Sequence, residues 1–200
     1  MPESGSPRVL APTVVEYLAA RLVLGRHAPR YAGVGLRRWQ GTPGDAPVVV
    51  CGLAGALTDD LPSGCVLIPE NVALPGGPPR DCDPELVAAF TTAARSLGYE
   101  VRGGPLVTVP VLASSEARAR LTASGFAAAD METALLPDKL RIATVRVILD
   151  TPQRPLSARW LKPTAALRPA LWPELLWLAR HAPAYAHRAG RVVRAGLGAV

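Results

Sequence analysis

The run "APVVVCGLAGALTDDLPSGCVLIPENV" at residues 46–72 decides the fold. Val48 to Cys51 are continuously apolar, the pattern of a strand buried on both faces. The strand is expected to end in a turn, Gly52-Leu53-Ala54-Gly55. Missing side chains there let backbone N–H groups approach an anion or a sugar, and close packing of strand on helix is the alternative.

On the N-terminal side, "RVLAP" (8–12) predicts a short strand leading into the helix "TVVEYLAARLVLG" (13–25). Thr13 caps that helix, Gly25 ends it, and Val15, Leu18, Leu22 and Leu24 keep helical spacing, with Glu16 in the first turn. "RYAGVGL" (30–36) follows as a strand and a glycine turn, its GxG too short for a nucleotide fingerprint. On the C-terminal side, proline and glycine make 73–83 a loop, and Asp83 caps a second helix with Pro84 at its first position and Gly98 at its end. A strand pair is expected in "YEVRGGPLVTVPVL" (99–112), then a helix opened by Ser114 or Ser115 and closed by Gly125. "FAAAD" (126–130) gives a strand, "METALL" a helix cut short by Pro137, and "RIATVRVILD" (141–150) a buried strand ending in Asp150. Strands alternating with helices predict an α/β sandwich with a largely buried sheet.

Composition narrows the function. At 200 residues, 49% hydrophobic and 19% charged, the chain can bury one substantial core and is not a disordered segment. No stretch reaches the roughly 18–20 apolar residues of a membrane span, and "MPESGSPRVL" lacks a basic start followed by an apolar block. A cytoplasmic enzyme or binding domain is the expectation. Cys51, Cys65 and Cys82 have no CxxC spacing, and His27, His181 and His187 form no cluster with them, so reduced thiols are expected and no metal site. The absence of GxSxG removes the common serine-nucleophile elbow.

The charge is lopsided. Residues 1–150 carry 14 Lys and Arg against 15 Asp and Glu, whereas 151–200 carry 8 against 1, so the positive excess lies in the last quarter. Within 171–194, Trp172, Leu175, Leu176, Trp177 and Leu178 precede a break at Pro183, and Tyr185, Ala189, Val192 and Val193 then lie opposite Arg188, Arg191 and Arg194 at helical spacing. An interfacial helix on an anionic membrane surface fits this pattern, and so does a helix packed on its own domain or on a dimer mate. No nucleic-acid-reading motif accompanies the basic tail, and no nucleic-acid partner is expected.

Two carboxyl positions share a geometric property. Asp130 and Glu132 sit where a strand becomes a helix, and Asp150 ends a buried strand. Ligands of open α/β sheets gather at the carboxyl ends of strands, so these acids are expected to face one cleft.

Taken together, "VVVCGLAGALTDDLPSGCVLIPENV", "GPLVTVPVLASSEARARLTASGFAAADMET" and "IATVRVILD" resemble the nucleoside phosphorylase superfamily, which includes purine nucleoside phosphorylases and methylthioadenosine/S-adenosylhomocysteine nucleosidases. The likeness runs over about residues 8–150, and the following "DTPQRPL" with its Pro-, Arg-, Leu- and Trp-rich tail is similar to the hopanoid-associated phosphorylases that act on adenosylhopane. The resemblance implies a three-layer sandwich with a central mixed, mostly parallel sheet, a catalytic domain over 1–150 and a helical extension over 151–200. It further implies that Glu132 accepts from the ribose 2′ and 3′ hydroxyls with Met131 packed on the sugar, and that Asp150 is the acid at purine N7. Leu112 and Ala113 would line the base pocket, and Gly52, Ala54 and Gly55 would lie beside the nucleophile. Asp130 and Arg146 would support the site, and Glu16 falls close to the position that activates water in the hydrolytic members. Leu149 before the aspartate, Leu112 at the base pocket and the Pro137 truncation depart from the family pattern.

The expected activity is cleavage of an adenine nucleoside's N-glycosidic bond. The leading form is phosphorolysis of adenosylhopane, with inorganic phosphate as co-substrate and no cofactor. The alternatives are a hydrolytic methylthioadenosine/S-adenosylhomocysteine-type nucleosidase and a non-catalytic membrane-surface protein on the same scaffold. The resemblance implies a homo-oligomer, and the tail a peripheral location at the inner face of the membrane.

Overall fold

The computed structural model describes residues 5–41, 46–156 and 172–199. Its elements in chain order begin with β1 (Arg8–Ala11), α1 (Val14–Leu24), β2 (Arg30–Tyr31), β3 (Val48–Ala56), β4 (Val66–Leu67), β5 (Asn71–Ala73) and β6 (Arg80–Asp81). They continue with α2 (Pro84–Ser96), β7 (Val101–Arg102), β8 (Leu106–Thr108), α3 (Ser115–Ala123), β9 (Ala128–Asp130), β10 (Ile142–Asp150) and α4 (Trp172–Leu197). One mixed sheet runs β6-β5-β8-β9-β3-β10-β4-β7, with β1 pairing β3 and β2 beside it. The β1–β3, β3–β10, β5–β8 and β8–β9 pairs are parallel, and β9 meets β3 antiparallel. The expected α/β sandwich of a mixed, mostly parallel sheet flanked by helices is therefore the fold, with a helix closing the chain.

β3 and β10 lie side by side at the centre, and all of β10 is buried. Their two faces feed two cores. Val49, Cys51, Val145 and Val147 pack with Ala20, Leu24, Leu86, Phe90 and Val193 from α1, α2 and α4. Val48, Val50, Ile142 and Ile148 pack with Leu10, Leu61, Leu67 and Leu106 on the other side. The three thiols are unpaired and buried, and burial is the main cause raising them, Cys51 and Cys82 to about 12 and Cys65 to about 11.

The caps follow the sequence. Thr13 and Glu16 form a reciprocal capping box, Asp83 accepts from the N–H groups of Glu85 and Leu86, and Ser114 accepts from Ala117 N–H. Three expectations are corrected, and the facing of α1 is settled. β3 does not turn at Gly52 but runs on to Ala56, because β10 continues to pair with it through Gly55. β7 and β8 are not partners: β7 pairs β4, and β8 lies between β5 and β9. The bulky stripe of α1 faces outward, with Leu22 83% exposed, while Glu16, Ala19, Ala20, Val23 and Leu24 are buried. Small residues win the inner face because α4 comes close there: a Cβ on Gly190 would stand 2.6 Å from Val23 Cγ2 and 3.2 Å from Ala20 Cα. Finally, α4 is one continuous helix through Pro183. Pro183 and Ala179, whose carbonyl the proline leaves without an N–H, both lie on the exposed side, where water can replace the lost donor.

The C-terminal half of α4 belongs to the main core. Ala189, Val192, Val193 and Leu197 are buried in the cluster that also holds Val9 and Phe90, so this apolar face packs on the chain's own domain, one of the arrangements that the pattern allowed. The N-terminal half differs: Trp172 and Leu176 are exposed, 54% and 72%. Residues 157–171, which carry Arg159, Lys162 and Arg168, lie outside the described residues. Among the described residues no helix is long and apolar enough to cross a membrane.

Candidate active site

The cleft is built at the carboxyl ends of β3, β9 and β10. Asp130 ends β9, and its carboxylate ties down the segment that follows: Oδ1 accepts from Thr108 Oγ1 at 2.5 Å and Glu132 N at 3.4 Å, and Oδ2 from Thr133 N at 3.1 Å and from Thr133 Oγ1. The expected helix after Met131 is a single 3-10 turn over Thr133–Leu135, ending ahead of Pro137. Glu132 is thereby turned into the interior, with Oε1 accepting from Gly35 N at 3.3 Å and Oε2 3.3 Å from Arg146 Nη2.

Arg146 is fully enclosed beneath this corner. It binds Asp130 and Glu132, donates from Nη2 to Thr133 Oγ1 at 3.0 Å, and donates from Nη1 to Leu53 O at 3.3 Å. Burial opposes its charge, but Asp130, Glu132 and Glu16 outweigh that and raise its pKa. Its Nε is buried with no partner among the described residues. Glu16 closes the corner from α1, Oε1 accepting from Leu53 N and Oε2 from Thr13 N, both at 2.7 Å. Glu132 is pushed up to about 7, by burial first, against Arg146, with Asp130 and Glu16 adding to the rise.

The opposite end holds Asp150. β10 pairs β3 in regular register from Ile142↔Val48 to Ile148↔Ala54, and then shifts so that Asp150 lies opposite Gly55. Leu149 is the residue taken up by this bulge, and the bulge re-aims Asp150 towards the cleft. Asp150 Oδ2 is paired with Arg118 of α3 and accepts from Leu156 N at 3.4 Å.

Two glycines of β3 make room for the carboxylates. A Cβ on Gly52 would collide with Glu16 Oε1, and one on Gly55 would stand 2.6 Å from Asp150 Oδ1. The expected anion-facing turn is thus a strand whose missing side chains admit two acids.

These groups surround one cavity of about 170 Å³. Glu16, Glu132, Met131, Asp130, Asp150, Leu112, Ala54 and Gly55 all line it, with Pro12, Val34, Leu53 and Leu156. A small lobe of about 30 Å³ adjoins it, lined by Leu112, Ala113, Met131, Asp150 and Arg118. Gly52 and Arg146 are not on the wall; they lie behind it, under Glu16 and Glu132. The reading of the sequence missed Arg118, the Gly35 N–H and Leu156. Arg118 carries no local signal, since an arginine in "SEARARLTASG" looks like one of an exposed helix face. Among the described residues no group of His, Cys, Asp and Glu has the arrangement of a metal site.

The family model of the Phosphorylase superfamily matches residues 5–150. The chain belongs to that family. Solved structures agree in fold. A futalosine hydrolase mutant of Helicobacter pylori superposes with a TM-score of 0.73 at 11% identity, over 97% of this chain and 99% of that one. The 5′-methylthioadenosine/S-adenosylhomocysteine nucleosidase of Neisseria meningitidis, in complex with methylthio-immucillin-A, gives 0.70 at 17% identity over 97% and 99%. The corresponding Helicobacter pylori nucleosidase gives 0.72 at 11% over 97% and 98%. No curated protein matches the chain in sequence.

Proposed function

We propose that the protein cleaves the N-glycosidic bond of an adenine nucleoside, with water as the acceptor. The observation that carries this reading is the cavity wall: four carboxylates, Glu16, Asp130, Glu132 and Asp150, and among the described residues no lysine or arginine. Negative charge suits an oxocarbenium-like sugar in the transition state and repels phosphate. Arg146, which comes close to Gly52, is enclosed and committed to Asp130 and Glu132.

In this reading the ribose sits at the Glu132 end, where Glu132 accepts from the 2′ and 3′ hydroxyls and Met131 packs on the ring. The base lies towards Leu112 and Ala113 and meets Asp150, which shares a proton with N7 as the C1′–N9 bond breaks and its electron pair passes to the base. Glu16 accepts a proton from the attacking water. Each of its oxygens already accepts one backbone N–H, so it is fixed in place, and a lone pair remains on each for the water. Water labelled with ¹⁸O tests the acceptor: the label appears at C1 of the released sugar. A sugar 1-phosphate formed only in the presence of phosphate contradicts this reading.

A second reading, phosphorolysis of adenosylhopane, draws on the exposed Trp172 and Leu176 at the start of α4, which would let the protein approach a membrane carrying a lipid-linked nucleoside. The outward stripe of Val14, Val15, Leu18 and Leu22 on α1 supports a homo-oligomer built on that helix.

A further inference from the structure

Arg118 is an arginine enclosed in the interior at 6% exposure, on a helix whose other polar side chains face solvent or its edge. Its guanidinium reaches three elements at once: Nε donates to Ala113 O at 3.3 Å in the loop before α3, Nη1 to Ala56 O at the end of β3, and Nη2 to Asp150 Oδ2 at the end of β10. Asp150 is left with unlike oxygens. Oδ2 is taken by Arg118 and by Leu156 N, whereas Oδ1 lies over the bare Cα of Gly55. Arg118 also separates two spaces, lining both the 30 Å³ lobe beside Leu112 and a larger outer groove of about 580 Å³ formed with Leu57, Asp59, Ala119 and Pro155.

We infer that Arg118 is the positioning residue of the base end: it grips Asp150 by Oδ2, offers Oδ1 as the single oxygen that meets the base, and walls the base off from the outer groove. The bland alternative is an arginine that merely fills the interior. Three directed bonds from one planar group argue against it, because a forked guanidinium is rigid and fixes the carboxylate it binds. A buried ion pair adds little net stability compared with apolar packing, so the arrangement is better explained by the orientation it imposes. This inference rests on the reading of Asp150 as the group that meets the leaving base.

The test uses the full-length protein and free adenine, whose equilibrium binding needs no turnover, alongside base release from methylthioadenosine. Arg118→Ala is expected to lower kcat/KM by about 10²-fold, the scale of a misplaced catalytic group, and to weaken adenine binding. Millimolar guanidinium, entering through the outer groove, is expected to restore both in the variant and to leave the wild type unchanged, while urea restores neither. A folded Arg118→Ala protein with wild-type adenine affinity and kcat/KM overturns the inference, and so does a loss that guanidinium does not reverse. If the alanine variant fails to fold, Arg118→Lys is read instead: a lysine cannot span the three acceptors, so wild-type affinity and kcat/KM in that variant overturn the inference. Asp150→Asn separates the two levels. If it is impaired while Arg118→Ala is not, only the role of Arg118 falls; if it keeps full activity, the reading of Asp150 falls first.

Discussion

The two ends of the cleft are built on opposite charge arithmetic. At the end where the proposed ribose would sit, Asp130, Glu132 and Glu16 gather around one buried arginine, Arg146. At the other end, where the proposed base would lie, one aspartate meets one arginine, Asp150 with Arg118. Burial, with Asp130 and Glu16 adding to it against Arg146, pushes Glu132 up to about 7; in the proposed reaction this corner would face the developing sugar cation. Each acid depends on a glycine of β3 in the same way: Gly52 leaves space for Glu16, and Gly55 for Asp150. One strand therefore seats both ends, and the spacing between its two glycines sets the distance between Glu16 and Asp150.

The contrast can be broken most severely at the base end. Asp150→Asn is expected to lower kcat/KM by about 10²- to 10⁴-fold, the usual worth of general acid catalysis, with the fold unchanged by circular dichroism. Gly55→Ala is next: its Cβ would lie 2.6 Å from Asp150 Oδ1, and pushing that oxygen aside is expected to cost about 10²-fold in base release. Gly52→Ala is the matching change at the sugar end, displacing Glu16, and slower release with unchanged adenine binding would separate the two glycines.

A smaller effect is expected from Glu132→Gln, and it is read in stability as well as activity. Glu132 in the folded protein holds its proton up to about pH 7, above its ordinary value of 4.5. Between these values the folded state binds more protons than the unfolded state, so stability falls as pH rises through that window. The glutamine variant loses this slope, so its stability relative to the wild type is expected to rise as pH goes from about 4.5 to about 7 and to level off above, measured by chemical denaturation. In the wild type kcat/KM is expected to fall as pH drops below about 7, as Glu132, the proposed ribose-binding carboxylate, is protonated. The smallest effect concerns α4. Trp172→Ser with Leu176→Ser is expected to leave methylthioadenosine cleavage unchanged and to lower sedimentation with anionic liposomes; equal sedimentation of both proteins removes the membrane reading.

The sequence made the frame legible where local physics dominates. The apolar runs of β3 and β10, the caps at Thr13, Asp83 and Ser114, and the stops at Gly25 and Pro137 all follow from short-range rules. Asp150 and Glu132 could be singled out because they interrupt buried runs at strand ends. What was not legible depends on contacts distant in sequence. Arg118 is 32 residues from Asp150, and nothing in α3 signals that it points inward. The bulge at Leu149 is a matter of register between two strands about 95 residues apart. The direction of the α1 stripe was not legible because spacing identifies an apolar face but not which face meets α4, and the close approach of Gly190 decides that.

Adenine release from methylthioadenosine, measured with and without inorganic phosphate, tests the central claim most directly. The account predicts release in phosphate-free buffer at a rate that phosphate does not increase. No release under either condition would contradict cleavage, and release that requires phosphate would contradict water as the acceptor.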